Sequence, residues 1–134
     1  MGLDMYVYKA KKKFPDVPKF FDVDEDVKYL TKTGDGEEEF WYWRKHPNLH
    51  GWFEKLYQEK GGQDLFNCIF LELTIEDLKQ LESDLKSRKL PHTVGFCFGE
   101  SRTDEEAYEA DLNFARKAKK AIKNGYSLYY LAWW

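Results

Sequence analysis

Arg44, Lys45 and His46 stand in succession, His50 follows four residues later, and Trp41, Trp43 and Trp52 surround them. Aromatic faces bind planar or sugar-like groups, cations bind phosphate or carboxylate, and imidazole exchanges protons near neutral pH. Together these types describe a pocket for a small anionic, nucleotide-like ligand. Trp43 and Trp52 would supply the faces and Arg44 with Lys45 the charge, while His50 would be a polar contact or, in an enzyme, a general acid or base. Arg44 is the better choice for the anion because its guanidinium fork matches two oxygens, and in a regular strand Lys45 points the opposite way. Plainer readings stand beside these. Both cations can pair with Glu37, Glu38 or Glu39, any one tryptophan can be core, and His50 can be a tethered structural histidine.

A second candidate segment is Gly95-Phe96-Cys97-Phe98-Gly99-Glu100-Ser101. It reads as a strand end with a glycine ahead of a helix start, where α/β sheets place ligand-binding loops, and it adds Phe98 and Gly99 to the candidate site. It lacks the glycine spacing and lysine of a phosphate-binding loop, and the chain shows neither a nucleophile elbow nor a recognisable Ser/His/Asp order. His46 and His50 have the i, i+4 spacing of zinc helices. The accompanying Glu is absent and His92 is the only other histidine, so no metal or other cofactor is expected.

Composition narrows the function classes. A net charge of -3 argues against a genomic nucleic-acid binder, although Lys9 with Lys11, Lys12 and Lys13, and the series from Arg116 to Lys123, could be basic patches or ordinary solvated surface. No apolar stretch approaches the roughly 18 residues of a membrane span, and no signal peptide opens the chain, so a cytoplasmic protein is expected. Met1-Gly2 fails as a myristoylation signal because Tyr6 replaces the required Ser or Thr. Cys68 and Cys97 sit in apolar runs and read as buried free thiols.

The elements that must hold these residues follow from periodicity. Leu3, Met5 and Val7 alternate with Asp4, Tyr6 and Tyr8, as in a half-buried strand ending near Lys9. Residues 10–39, with Pro15, Pro18, Gly34 and Gly36, predict an irregular excursion holding a short element around Val27 to Leu30. A second strand spans 40–45, with Phe40, Tyr42 and Arg44 on one face and Trp41, Trp43 and Lys45 on the other. His46 is then an N-cap and Pro47 the first helical residue, with Leu49, Trp52, Phe53 and Leu56 as the apolar stripe up to Gly61-Gly62. Residues 67–73 predict a third strand. Thr74 and Asp77 resemble a capping box for a helix reaching Leu90-Pro91. Residues 93–99 predict a fourth strand, Thr103 with Glu106 caps a long helix ended by Gly125, and 127–134 form a last aromatic strand. The sum is one α/β (α+β) domain of 134 residues, with a mixed sheet of about five strands and three main helices.

Read together, Met1-Gly2-Leu3-Asp4-Met5-Tyr6, Tyr42-Trp43-Arg44-Lys45 with Leu49-His50 and Trp52, Gly95-Phe96-Cys97-Phe98-Gly99 and the aromatic C-terminus resemble a family of small uncharacterised bacteriophage and prophage proteins. The family typically carries Gly-Phe-Phe-Phe-Gly-Ser and ends in Ser-Ser-Trp; this chain departs at Cys97, at Glu100 and at Leu131-Ala132-Trp133. The resemblance implies no activity. What it implies is a phage accessory role in a bacterial host cell, capturing a nucleotide-like signal of host defence or binding a host protein. Three functions are therefore expected in turn: a non-catalytic binder of a small anion, a small hydrolase or lyase on a phosphorylated compound using His50, and an interaction module facing a host protein or a second copy of the chain.

Overall fold

Met5 and Val7 are wholly buried while Tyr6 and Tyr8, which alternate with them, are half-buried, the pattern of a strand with one face on the main core. In the computed structural model, which describes residues 2–10, 17–25, 29, 38–95 and 97–134, this strand is β1 (Asp4–Ala10). The other strands are β2 (Phe20–Asp22), β3 (Glu38–Arg44), β4 (Ile69–Leu73) and β5 (Ser127–Trp133). The helices are α1 (Pro47–Glu59), α2 (Ile75–Lys86) and α3 (Glu105–Lys123). Strand order is β2-β4-β5-β1-β3.

The α+β class, the number of strands and the three helices agree with expectation, although β2 is not one of the five strands expected. The sheet is not mixed, however: every pairing among the described residues is antiparallel. One face packs against the helices around Leu71, Phe53, Tyr130 and Phe114. The opposite face carries a smaller core of Ala10, Phe21, Phe70, Tyr129 and Leu131. β5 is buried on both sides, which explains its nearly unbroken apolar sequence.

Three local signals perform as expected. His46 is the N-cap of α1 with Pro47 in the first turn, Gly61 leaves that helix at φ 103°, and Thr74 with Asp77 forms the complete capping box of α2. Others fail for identifiable reasons. α2 stops at Lys86, and Arg88 at φ 56° turns the chain away before Leu90. Asp104, rather than Thr103, caps α3 by accepting the Ala107 N–H at 2.8 Å. A carboxylate is at least as good a cap as a hydroxyl and also favours the positive end of the helix dipole.

Among the described residues of 93–99 the expected strand does not form. Val94 is 78% exposed, and Phe98 N–H donates back to the Gly95 carbonyl at 3.2 Å in a turn. The segment packs on α1 instead: Thr93 N–H donates to Asn48 Oδ1 at 3.0 Å. Cys97 is consequently exposed and Cys68 only partly buried, against the expectation of two buried thiols; both are free. The expected excursion contributes β2 and a short 3-10 turn, Val23–Glu25. The element expected around Val27 to Leu30 falls, except for Tyr29, outside the described residues.

Candidate functional site

The site begins where β3 ends. Lys45 adopts φ 55° and its N–H donates to the Leu3 carbonyl at 2.8 Å, so the chain turns sharply between Arg44 and α1. His46 caps α1 by position only, because its side chain accepts none of the free helix amides. That task falls to Ser101, whose Oγ accepts the Asn48 N–H at 3.0 Å from across the molecule.

Freed from capping, the His46 ring joins two distant residues. Nδ1 is 2.7 Å from Ser101 Oγ and Nε2 is 2.7 Å from Asp111 Oδ2. Asp111 also accepts the Trp43 Nε1–H at 3.3 Å through Oδ1. An ionised carboxylate can only accept, so Nε2 carries the ring proton and Nδ1 offers its lone pair to the Ser101 O–H. Hydrogen bonds then run in one sense from Ser101 through His46 to Asp111. The His46 and Asp111 side chains are only 12% and 8% exposed, which shields the pair from competing water.

Ser101 and His46 open onto a hollow of about 270 Å³ that Arg88, Arg102 and Tyr108 also border. The Arg88 guanidinium lies 3.5 Å from the centre of the Tyr108 ring and 2.8 Å from Glu105. Arg102 pairs with Asp104 at 2.7 Å and reaches Glu106 at 3.8 Å. The Ala107 N–H, and then Arg102, hold the Asp104 carboxyl below its ordinary pKa. An adjoining hollow of about 200 Å³ shares His46, Arg102 and Asp111, and adds Trp43, Arg44 and Lys45.

The expected site residues thus divide. Trp43, Arg44 and Lys45 come together, and Gly99 joins them: at φ 70° it leaves room for the Lys45 stem, whose Cδ would be 3.2 Å from a Cβ there. Trp43 is no open stacking platform, because Phe114 meets its ring edge-on at 4.7 Å. Arg44 is 3.9 Å from Asp4. Trp52 sits elsewhere, buried, donating to Asp84 Oδ2 at 2.9 Å beside a different hollow bordered by Glu59, Glu76 and Asp77.

His50 needs the plainest correction. It is 1% exposed, stacked on Phe66 at 5.3 Å and met edge-on by Phe98 at 5.4 Å, so neither His50 nor Phe98 faces a ligand. Its Nδ1 is 2.7 Å from the Tyr130 hydroxyl and its Nε2 has no partner among the described residues. Burial lowers its pKa from 6.5 to about 4, so it stays neutral where a general acid would need its proton.

His46 as a side chain, Ser101, Asp111, Arg88 and Arg102 were missed. One of them had a signal. Asp111 falls between Tyr108 and Leu112 on the inward stripe of α3, where a carboxylate demands a partner. The pairing of His46 with Ser101 leaves no trace in spacing: the sequence shows no recognisable Ser/His/Asp order, yet the fold brings the three side chains together.

No protein-family model matches the chain, and neither a curated protein nor a solved structure does. Among the described residues no three His, Cys, Asp or Glu side chains are grouped to hold a metal ion, and no helix is long and apolar enough to cross a membrane.

Proposed function

We propose that this chain binds a small anionic ligand in the twin hollows around His46. The observation that carries this reading is the convergence of Arg88, Arg102, Arg44 and Lys45 on two adjoining concavities with His46 and Arg102 in common. Their present partners are weak competitors. Arg88 and Arg102 are about half exposed or more, as are Glu105 and Asp104, and ion pairs so open to solvent contribute little. A phosphate or carboxylate approaching from solvent can exchange with them at little cost. The hollows are near the small end of ordinary ligand sites, which suits a compact anion.

The charge half of the original expectation keeps its support, and the stacking half loses it, because Trp43 and Trp52 are committed to packing. In the phage setting implied by the resemblance, capture of a small anionic signal would serve counter-defence. The test is native mass spectrometry of gently purified protein with identification of anything released. Arg102→Ala, which removes the cation common to both hollows, is expected to weaken capture at least about tenfold with the far-ultraviolet spectrum unchanged. Undiminished capture would sink the reading.

A docking role has one observation of its own. Tyr42 and Trp133 are 44% and 39% exposed on either side of Tyr6, whose ring centre lies 5.0 and 4.8 Å from theirs. Such a patch is the kind that anchors a protein partner. A stoichiometric partner that co-purifies with the chain and is lost on Trp133→Ala would favour this role over small-anion capture.

A further inference from the structure

We propose that Ser101 is a nucleophile with His46 as its base, and that the hollow cleaves an ester of a small anionic carboxylic compound. The inference rests on the anion-binding reading for its substrate class and on separate geometry for its chemistry. Ser101 Oγ, His46 Nδ1, His46 Nε2 and Asp111 Oδ2 are linked by two contacts of 2.7 Å, and both Ser101 and His46 border the hollow. Nucleophile, base and orienting carboxylate are the three roles that serine-dependent acyl transfer requires. Here the serine faces Nδ1 rather than the more usual Nε2, which leaves the base chemistry the same because either ring nitrogen can take the proton.

The surroundings favour charge on the serine oxygen. The Asn48 N–H points at Ser101 Oγ from 3.0 Å in the first turn of α1, where free amides and the helix dipole stabilise an anion. Asp111, fixed by the Trp43 N–H, keeps the proton on Nε2 and steadies the imidazolium that forms. Asn48 Oδ1 accepts the Thr93 N–H, which leaves its amide N–H groups as donors, and Asn48 and Arg102 both border the hollow. These two supply donors for a carbonyl oxygen becoming an oxyanion.

The step balances without a further reactant. Ser101 Oγ bonds to the ester carbonyl carbon while its proton passes to His46 Nδ1. Collapse of the tetrahedral intermediate breaks the carbon–oxygen bond to the alcohol, which leaves with that proton. Water then adds to the acyl-serine, giving a proton to His46, and the carboxylic acid departs as Ser101 recovers its hydrogen. Arg88 holds the substrate's remote anionic group.

The competing explanation is that Ser101 does nothing but cap α1. Mono-p-nitrophenyl succinate, an anionic activated ester, separates the two. Expected are release of p-nitrophenolate and a succinyl adduct mapped to Ser101. His46→Gln should slow the reaction by about a hundredfold or more, and Ser101→Ala should abolish the adduct. Because either change could disturb the fold, the wild-type adduct is a criterion independent of both: an adduct absent from Ser101 overturns the inference. Inorganic phosphate binding, followed by titration of the wild type and Ser101→Ala, keeps the two readings apart. Phosphate bound without turnover leaves the anion site and removes the nucleophile. Turnover at Ser101 without phosphate binding does the reverse.

Discussion

Asp111 is a buried carboxylate holding two donors on other elements, the His46 ring and the Trp43 indole. Asp111→Ala would leave both N–H groups without an acceptor in a poorly hydrated place. Since hydrogen bonds to a charged group contribute about 1.5–3 kcal/mol each and the two are coupled, we expect a loss of about 2–4 kcal/mol, read as a lower urea midpoint. His50 behaves differently. The Tyr130 phenol, pushed well up by burial, keeps its proton and donates to Nδ1, so the imidazole proton sits on the partnerless Nε2. An unfolded histidine takes up a second proton near pH 6.5, whereas the folded one resists until about pH 4. Within that window the unfolded chain binds more protons. Stability is therefore full above about pH 6.5 and falls as pH drops through the window, with a total loss on the order of 3 kcal/mol. His50→Gln should flatten this part of the stability–pH curve; an unchanged slope would assign the acid sensitivity to other groups.

Elements explain what could be read in advance and what could not. The cap at His46-Pro47, the Thr74 capping box and the alternation of β1 are local patterns, each contained within a few residues of its own element. β3 shows the limit: Val7 pairs with Trp41 and Tyr8 with Glu39, so Phe40 is the extra residue of a bulge. Phe40 and Trp41 were expected on opposite faces, yet both meet Phe114, with ring centres 6.4 and 5.6 Å away. Residues 93–99 fail in the same way, because their glycines and aromatics suit a strand as well as the turn that α1 imposes. Of the candidate site, the cations next to α1 were legible, whereas the Ser101–His46–Asp111 connection depends on how a connecting loop drapes over a helix. Gly51 is what lets it drape. A Cβ there would collide with the Thr93 hydroxyl and stand 2.9 Å from Thr93 Cβ. Gly51→Ala gains about 1 kcal/mol of helix propensity but should lose about 1–3 kcal/mol to overpacking. A lower melting temperature, partly restored by Thr93→Ala, is the expected result; a higher one would mean the loop moves freely.

For the whole molecule, sheet and site divide the labour. The central strand β5 is packed on both faces, and the edge strand β3 carries Glu38, Glu39 and Arg44, charges that discourage a further strand from adding there. The hollow lies off the sheet, where the start of α1, the connection after α2 and the start of α3 meet. The two arginines at its mouth make anion binding a property of that junction. Binding of inorganic phosphate should accordingly weaken with added sodium chloride and fall further in an Arg88→Ala/Arg102→Ala double variant than in either single variant. The Ser101–Asn48 bond gives the junction another property. The Asn48 amide hydrogen has Ser101 Oγ as its acceptor, so anything that acylates or displaces that oxygen should quicken the exchange of this one hydrogen with deuterated solvent while core amides of β5 stay slow. Occupancy of the site can thus be timed from a single backbone position, with no label and no knowledge of the ligand.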